Sequence, residues 1–357
     1  MRVLVAGGAL KGTLDCQAAT AAIAAGVAQA GHHPIPVPVA DGGDGSLAAL
    51  QAAGFARRTA NAKDAAGREV AAAFAWNPGT RTAAVELAQA SGLWRVQRDA
   101  RDPWRLTTYG FGELLRAALV LRPLRVLALL GGSATQDAGA GMLQSLGAIL
   151  SPPPGLADAL WLEHATGIDL RPARRLFAGV ELLALSDVDH VLSGPGGSAQ
   201  AFARQKGFQA ADVPRLDAAI SRFAALLAAA SGRQIEAPGS GAAGGAGAAL
   251  IALGGQVVGG AEQIFATVGF FAQLADADAV ISCEGRVDAT TWRGKAPGLA
   301  MQAALARGLP AFLLCAEDGP GSQREGVRVI RAQGSPVLAR DLQTAAARAL
   351  RELAAGH

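Results

Sequence analysis

Short runs of apolar residues, each followed by a glycine-rich polar segment, alternate in this sequence with longer alanine-rich stretches. Consecutive apolar positions of this kind are typical of strands that are buried on both faces of a parallel sheet. The alanine-rich stretches between them predict the helices that connect such strands. The predicted strands lie at residues 3–6, 35–39, 126–130, 182–185, 278–283, 311–315 and 327–330. The alternation therefore predicts an α/β fold.

The pattern changes between residues 57 and 105. Two candidate strands, at 69–76 and 82–87, lie on either side of a turn signal at Asn77, Pro78 and Gly79. These strands follow each other without the long helical stretch seen elsewhere in the chain. We therefore predict a second domain that is inserted into the first.

Length and composition agree with two α/β domains. A chain of 357 residues is longer than one ordinary domain. Apolar residues make up 51% of it but aromatic residues only 5%, so the core must consist of Ala, Val, Leu and Ile. The 46 glycines fit a fold with many tight turns and close contacts between helices and sheet.

Charge and cysteine content exclude several classes of function. The net charge of +3 is scattered, so we expect neither a nucleic-acid surface nor a polybasic membrane segment. The three cysteines are too far apart for a zinc or disulfide pattern. The N-terminus lacks a signal-peptide layout, and no apolar run reaches the ~18 residues of a membrane span. We expect a cytoplasmic protein with a small-molecule substrate, and oligomerisation stays open.

The stretch LLGGSATQDAGAGM, residues 129–142, is the central candidate site. A predicted strand ends at Gly131 and Gly132, two hydroxyl groups follow at Ser133 and Thr135, and Asp137 precedes a predicted helix. Unpaired backbone N–H groups and the positive end of a helix dipole would suit a phosphate group here. Tight turns between strand and helix also need glycine for geometry alone, so the motif by itself leaves both interpretations open.

Further polar residues follow other predicted strands, where the ligand crevice of a parallel sheet lies. Asp41 ends one strand segment, and the pair Asp187 and Asp189 ends another, where it is a candidate metal site or general base. A third loop carries Arg286, Asp288 and Lys295, a set suited to an anionic substrate with a metal nearby, besides Glu284 and Arg293. Isolated aspartates more often cap loops, so this alternative remains.

Lysine is rare, with only four among the 32 basic residues. Three of the four, Lys11, Lys206 and Lys295, lie in glycine-containing loops, where a compact charge suits phosphate contacts. Chance explains the lysine distribution about equally well. Taken together, cations, hydroxyls, carboxylates and glycine-rich backbone favour phosphoryl transfer, with carboxylates for Mg²⁺ and for the proton of the attacking hydroxyl. Because the sequence has no GxxxxGK[ST] motif, such a kinase would have another architecture.

Several motifs occur in a characteristic order along nearly the whole chain. They are KGTL at 11–14, ADGGDG at 40–45, TTYG at 107–110, GGSAT at 131–135, SDVD at 186–189, QKG at 205–207, EGRVD at 284–288 and GKAP at 294–297. In this order they resemble the bacterial glycerate kinase family. The resemblance implies phosphorylation of D-glycerate by ATP with Mg²⁺, usually giving 2-phosphoglycerate. It also implies two α/β domains, one of them flavodoxin-like, with the active site in the cleft between them. We place the flavodoxin-like domain at 1–60 plus 265–357 and the inserted domain at 61–264.

Chemistry suggests roles at the positions that the resemblance supports. Asp187 would act as base or metal ligand, with Asp189 as a second metal ligand and Asp288 assisting with metal or substrate. Gly131, Gly132, Ser133, Thr135 and Asp137 would bind the nucleotide. The remaining candidates are Lys11 as a catalytic cation, and Asp41, Arg286 and Lys295 for the substrate.

The sequence departs from the family pattern in its first loop, which usually reads Pro-Asp-Ser-Phe-Lys-Gly. Here residues 7–12 read GGALKG, so a carboxylate and a hydroxyl are missing at Gly8 and Ala9. Other departures are Gln136 for Asn, Ala138 for Gly, His190 for Asn and Cys283 for Gly. Alternative hypotheses are a kinase of another small hydroxyacid and a non-catalytic paralogue that binds a nucleotide or sugar acid. A dehydrogenase that uses the glycines of 239–247 is disfavoured, because no strand is predicted before them.

Overall fold

The structure is a computed structural model that describes residues 1–10, 12–43, 45–97 and 102–355. For residues 354 and 355 it describes only the backbone. Its strands are β1 (Arg2–Gly7), β2 (His33–Pro36), β3 (Ala56–Lys63), β4 (Glu69–Asn77), β5 (Thr82–Glu86), β6 (Arg125–Leu129), β7 (Ile149–Ser151), β8 (Gly167–Asp169), β9 (Glu181–Leu185), β10 (Gln256–Val258), β11 (Ala279–Val287), β12 (Ala311–Asp318) and β13 (Val327–Arg331).

Its α-helices are α1 (Cys16–Gln29), α2 (Ser46–Ala52), α3 (Ala88–Ser91), α4 (Tyr109–Leu119), α5 (Ala140–Ser145), α6 (Arg171–Leu176), α7 (Ser198–Phe202), α8 (Val213–Ser231), α9 (Ala242–Ala252), α10 (Gly260–Thr267), α11 (Phe270–Leu274), α12 (Ala296–Ala306) and α13 (Ala339–Ala355). In the described ranges, no helix is long and apolar enough to cross a membrane.

The chain divides into two compact units, each built around its own sheet. Unit 1 comprises Met1–Asp41, Gly45–Gly54 and Gly259–His357, and unit 2 comprises Gly42–Asp44 and Phe55–Val258. Unit 1 is therefore assembled from the two ends of the chain, whereas nearly all of unit 2 is one continuous segment. The α/β fold class predicted from the alternation of apolar runs is confirmed.

The sheet of unit 1 is parallel throughout, in the order β13-β12-β11-β1-β2. Numbered within the unit, this is the order 2-1-3-4-5 of flavodoxin-like folds, whose ligands bind where the strand order reverses. The reversal lies between β1 and β11, so the loops after these two strands mark the expected ligand edge. Successive side chains of β1 point to opposite faces. Val3 and Val5 pack with residues of α1 and α13, and Leu4 and Ala6 pack with residues of α12.

The strand predicted at 35–39 is shorter in the structure, where β2 ends at Pro36. Pairing with β1 continues beyond Pro36, because the N–H groups of Val37 and Val39 donate to the carbonyls of Val5 and Gly7. The prolines at 34, 36 and 38 alternate with these donors, so the N–H groups that they lack are not those used for pairing with β1.

The sheet of unit 2 is mixed, in the order β10-β9-β6-β5-β4-β3. Strands β5, β6, β9 and β10 are parallel, whereas β3 and β4 form an antiparallel hairpin at one side. Both strands predicted from the changed pattern after residue 57 are present as β4 and β5. The hairpin thus explains why this stretch lacks long helices between its strands.

Candidate active site

The carboxyl ends of three parallel strands of unit 2 lie side by side. In the pairing register, Glu86 of β5 is opposite Leu129 of β6, and Leu129 is opposite Leu185 of β9. The segments that follow these strands therefore leave the sheet at the same edge. They include the GGSAT motif at 131–135 and the SDVD motif at 186–189.

The segment after β6, which we call the 131–139 loop, ends where helix α5 begins at Ala140, so a helix follows Asp137 as predicted. The expectation of unpaired N–H groups at the helix start is wrong. Asp137 accepts hydrogen bonds from the N–H groups of Gly139 and Gly141, both at 3.2 Å.

Asp137 is fully buried beneath the loop rather than exposed on it. Besides its bonds to the helix start, it accepts 2.7 Å hydrogen bonds from the N–H and the hydroxyl of Thr108. Burial raises the pKa of Asp137 to about 6, although the four hydrogen bonds favour its ionised form. The TTYG motif and the GGSAT motif are thus joined through this carboxylate, which fixes the shape of the loop.

Lys206 is the functional candidate that sequence reasoning did not place in the site. It lies in a short 3₁₀ helix, Arg204–Lys206, and is only 2% exposed. Its Nζ donates 2.8 Å hydrogen bonds to the Ser133 hydroxyl and to the Thr135 carbonyl. Burial lowers the pKa of Lys206 to about 7, against the opposing effect of Asp137. Two sequence signals pointed to this residue, the rarity of lysine and the QKG motif at 205–207.

The hydroxyl of Thr135 is the second unusual group of the loop. Thr135 is fully buried, and its Oγ1 has no hydrogen-bond partner in the described residues. A buried hydroxyl without a partner costs free energy, so such groups are rare in proteins. Thr135 thus has a hydroxyl group without a hydrogen-bond partner in the described residues, and its carbonyl accepts from the Lys206 ammonium group.

The glycines of 239–247 support this loop and do not form a dinucleotide site. The described element directly before them is helix α8, not a strand, and α9 contains a kink at residues 243–245. The Gly244 carbonyl accepts a hydrogen bond from the Ala138 N–H at 2.9 Å. A Cβ atom at Gly244 would lie 1.9 Å from the Thr135 carbonyl oxygen. The prediction of a close-packed segment before a helix is confirmed, because only glycine permits this approach.

Gln136 and Ala138, two of the departures from the family pattern, are accommodated in the same region. The amide of Gln136 donates to the Ser198 carbonyl at 3.0 Å and accepts from the Ser198 hydroxyl at 2.8 Å. Ala138 adopts a left-handed conformation with φ +50°, which is strained for alanine. The loop therefore keeps its shape with these two residues present.

The aspartate pair of the SDVD motif follows β9 at the same edge. The hydroxyl of Ser186 accepts from the Val188 N–H at 3.2 Å, which closes a turn that carries Asp187. The side chain of Asp189 is 96% exposed, and its Oδ1 lies 3.9 Å from Nδ1 of His190. In the described ranges, no group of three or more His, Cys, Asp or Glu side chains could hold a metal ion.

In unit 1, the candidate residues lie at the end of β11 and after it, next to the reversal of strand order. The strand predicted at 278–283 continues to Val287, so Glu284 and Arg286 belong to β11 and the loop begins only at Asp288. Lys295 donates to Glu284 at 2.8 Å, and the second oxygen of this carboxylate accepts from the Thr291 hydroxyl at 2.7 Å. Arg286 is largely exposed, with Nε 3.6 Å from Oδ2 of Asp288. Asp288 accepts from the N–H and hydroxyl of Thr290, and these bonds lower its pKa. Arg286 thus lies near the end of β11, whereas Asp288 and Lys295 lie on the segment between β11 and α12.

Asp41 lies after β2 in unit 1 and is partly buried. Lys11 lies outside the described residues, so its prediction stays a prediction. The altered first loop is described at Gly8, whose carbonyl accepts a hydrogen bond from the Cys283 thiol at 3.3 Å. A Cβ atom at Gly8 would lie 3.0 Å from the Cys283 carbonyl, a tight contact. Burial raises the pKa of Cys283 to about 12, so this thiol is not a nucleophile.

Comparisons with known proteins agree with this arrangement of motifs. A sequence model described as the glycerate kinase family matches residues 3–355. Glycerate 2-kinase of Escherichia coli K12 is 36% identical over 269 residues, covering 74% of this chain and 71% of the relative. Glycerate kinase of Halalkalibacterium halodurans is 35% identical over 292 residues, covering 80% and 77%. A crystal structure described as a candidate glycerate kinase 2 of Salmonella typhimurium LT2 superposes with a TM-score of 0.89, at 30% identity over 100% and 99% of the two chains.

Proposed function

The chain belongs to the glycerate kinase family, and we propose that it transfers the terminal phosphoryl group of ATP to a hydroxyl group of D-glycerate. The product that we favour is 2-phosphoglycerate, as the name of the E. coli relative, glycerate 2-kinase, suggests. The observation that carries the proposal is the 131–139 loop, at the carboxyl ends of the parallel strands of unit 2. There the buried Lys206 donates to Ser133 and to the Thr135 carbonyl, and the buried Thr135 hydroxyl has no partner among the described residues.

Phosphoryl transfer depends on positioning and on stabilising negative charge. The cation of Lys206 lies beneath Ser133 and Thr135 and places positive charge under the loop backbone. Thr135 would donate its unpaired hydroxyl to a phosphate oxygen. Asp137 has a different role from the direct contact expected for it, because all its hydrogen bonds hold the loop and α5 in place.

Asp187 and Asp189 fit a magnesium ion that is shared with the nucleotide. Mg²⁺ usually binds to one or two carboxylates together with substrate phosphates and waters, so a group of three protein ligands is not required. When bound, Mg²⁺ neutralises phosphate charge. Asp187 retains the alternative role of a base that accepts the proton of the substrate hydroxyl.

The groups of unit 1 are suited to a small hydroxyacid. The exposed guanidinium of Arg286 can bind a carboxylate in a bidentate manner, which a lysine cannot. Lys295 is already paired with Glu284, so its charge is partly neutralised before substrate binds. We therefore assign carboxylate recognition mainly to Arg286, with Asp288 holding the guanidinium, and we assign to Asp41 a contact with a substrate hydroxyl.

The test is release of ADP by the purified protein with ATP, Mg²⁺ and D-glycerate, with L-glycerate, glycolate and tartronate as comparison substrates. We expect turnover that depends on D-glycerate, and phosphorus NMR of the product would identify the phosphorylated carbon. Turnover only with another acid would assign a different hydroxyacid substrate. A folded protein that binds ATP but turns over none of the acids would contradict the proposal and favour the non-catalytic paralogue.

A further inference from the structure

A surface cavity of about 440 Å³ lies in unit 2 next to the 131–139 loop. Its lining residues are Asp64, Arg68, Glu69, Val70, Trp94 and Arg95. The connection to the loop is direct, because the Leu93 N–H donates to the Gly132 carbonyl and Ser91 accepts from the Ala134 N–H, both at 2.9 Å.

The cavity contains an aromatic surface that the fold does not cover. Trp94 is 59% exposed, whereas the buried tryptophans Trp76 and Trp161 are 8% and 9% exposed. The guanidinium of Arg95 lies over the Trp94 ring, 4.4 Å from its centroid. Arg95 also donates to the Ala71 carbonyl at 3.3 Å, while its Nε is buried without a partner in the described residues. The Trp94 indole thus packs against the Arg95 guanidinium, whose Nε–H has no acceptor in the described residues.

The charges that line the cavity distinguish between possible ligands. Arg68 is paired with Asp64 at 2.7 Å, and Glu69 is paired with Lys63 at 2.9 Å. Two carboxylates in the lining disfavour a phosphate group, although Arg95 adds a cation. An uncharged aromatic heterocycle with hydrogen-bonding groups on its edge fits this mixture better, because stacking does not need a net charge.

The separation between cavity and loop fits a nucleotide. Gly92 is bridged to Ser133, and Trp94 follows Gly92 by two residues. Strand spacing and the length of two residues together set an upper limit of about 12 Å between the Cα atoms of Ser133 and Trp94. An extended nucleoside triphosphate spans a comparable distance from its terminal phosphates to its base.

We propose that this cavity is the base subsite of the nucleotide, with the base stacked on Trp94 while the phosphates lie at the 131–139 loop. The inference rests on the proposed function, since it assumes a nucleotide at that loop. Trp94 would contribute affinity for the base and leave the binding of the phosphates unchanged.

The test compares the binding of ATP and of inorganic tripolyphosphate by calorimetry, in the wild type, Trp94→Ala and Trp94→Phe. In Trp94→Ala we expect about tenfold weaker binding of ATP, in the range known for base stacking, and unchanged binding of tripolyphosphate. Trp94→Phe keeps an aromatic ring and should retain most of the ATP affinity. Tryptophan fluorescence should be quenched by ATP in the wild type and much less in Trp94→Phe.

The other outcomes would overturn either the base subsite alone or the nucleotide site together with it. Unchanged ATP affinity in Trp94→Ala, or an equal loss for tripolyphosphate, would overturn the base subsite alone. Equal affinity of the wild type for ATP and tripolyphosphate would do the same. A folded wild type that binds neither compound would overturn the nucleotide site of the proposed function and this inference with it.

Discussion

The charge of Lys206 should control how the enzyme uses ATP as a function of pH. Its Nζ holds Ser133 and Thr135, and burial lowers its pKa to about 7. The free enzyme therefore carries this cation below about pH 7 and loses it above. With a pKa of 7, the protonated fraction falls from one half at pH 7 to about 1% at pH 9. If only the protonated form binds ATP productively, kcat/KM for ATP should fall roughly fiftyfold over this range.

Two variants separate the charge of Lys206 from its packing. Lys206→Met removes the charge-assisted hydrogen bonds, each worth about 1.5–3 kcal/mol, so kcat/KM for ATP at pH 7 should fall about 100-fold. Lys206→Arg keeps a cation at every accessible pH. Both variants should lose the decline of kcat/KM between pH 7 and pH 9, because neither can titrate there.

The contribution of Lys206 to the free energy of unfolding should rise with pH, whereas kcat/KM for ATP should fall. An unfolded lysine has a pKa of 10.5, so between about pH 7 and pH 10.5 the unfolded state binds more protons than the folded state. The contribution of Lys206 to the free energy of unfolding therefore rises with pH, by up to about 1.4 kcal/mol per pH unit relative to Lys206→Met.

The assays are initial rates at varied ATP from pH 6 to pH 9, and urea unfolding of wild type and Lys206→Met at pH 7 and pH 9. Asp137, the charged group whose effect opposes the lowered pKa of Lys206, is ionised throughout this upper range because its own pKa is about 6. A wild-type profile that stays flat between pH 7 and pH 9, or a decline that persists in Lys206→Met, would refute the reasoning.

Three further predictions concern the same edge of unit 2. Thr135→Val should change the free energy of unfolding by less than about 1 kcal/mol, because the hydroxyl has no partner to lose, and should still weaken ATP binding in a calorimetric titration. Gly244→Ala should destabilise the protein by more than about 3 kcal/mol in urea unfolding, since its Cβ would lie 1.9 Å from the Thr135 carbonyl at a φ of +71°. Asp187→Asn should abolish turnover in the ADP-release assay with an unchanged circular dichroism spectrum; unchanged activity would remove Asp187 from the mechanism.

Much of the fold could be predicted because its strands are buried on both faces. The apolar runs at 126–130 and 182–185 correspond to β6 and β9 within one residue, since such runs leave little choice of structure. The strand predicted at 35–39 lies at His33–Pro36, because the apolar run continues beyond the point where β2 ends.

The candidate site was less predictable, because its contacts join distant parts of the chain. Lys206 and Ser133 are 73 residues apart, and no local sequence pattern predicts the hydrogen bond between their side chains. The polar sequence around Asp137 resembles an exposed ligand loop, yet this carboxylate is buried by its bonds to Thr108 and the start of α5. Local pattern shows where a loop begins, whereas tertiary contacts decide which of its groups remain available.

The division of unit 1 between the two ends of the chain has a consequence for its synthesis on the ribosome. Strand β1 is made first but pairs with β11, which begins 272 residues after Gly7. At about 5–20 residues per second, translation of that interval takes roughly 15–55 seconds. Unit 2 can fold in this time as a nearly continuous segment, while the apolar β1 has β2 but not β11 beside it. Nascent chains arrested before residue 279 should therefore hold a protease-resistant unit 2 and an accessible N-terminal segment.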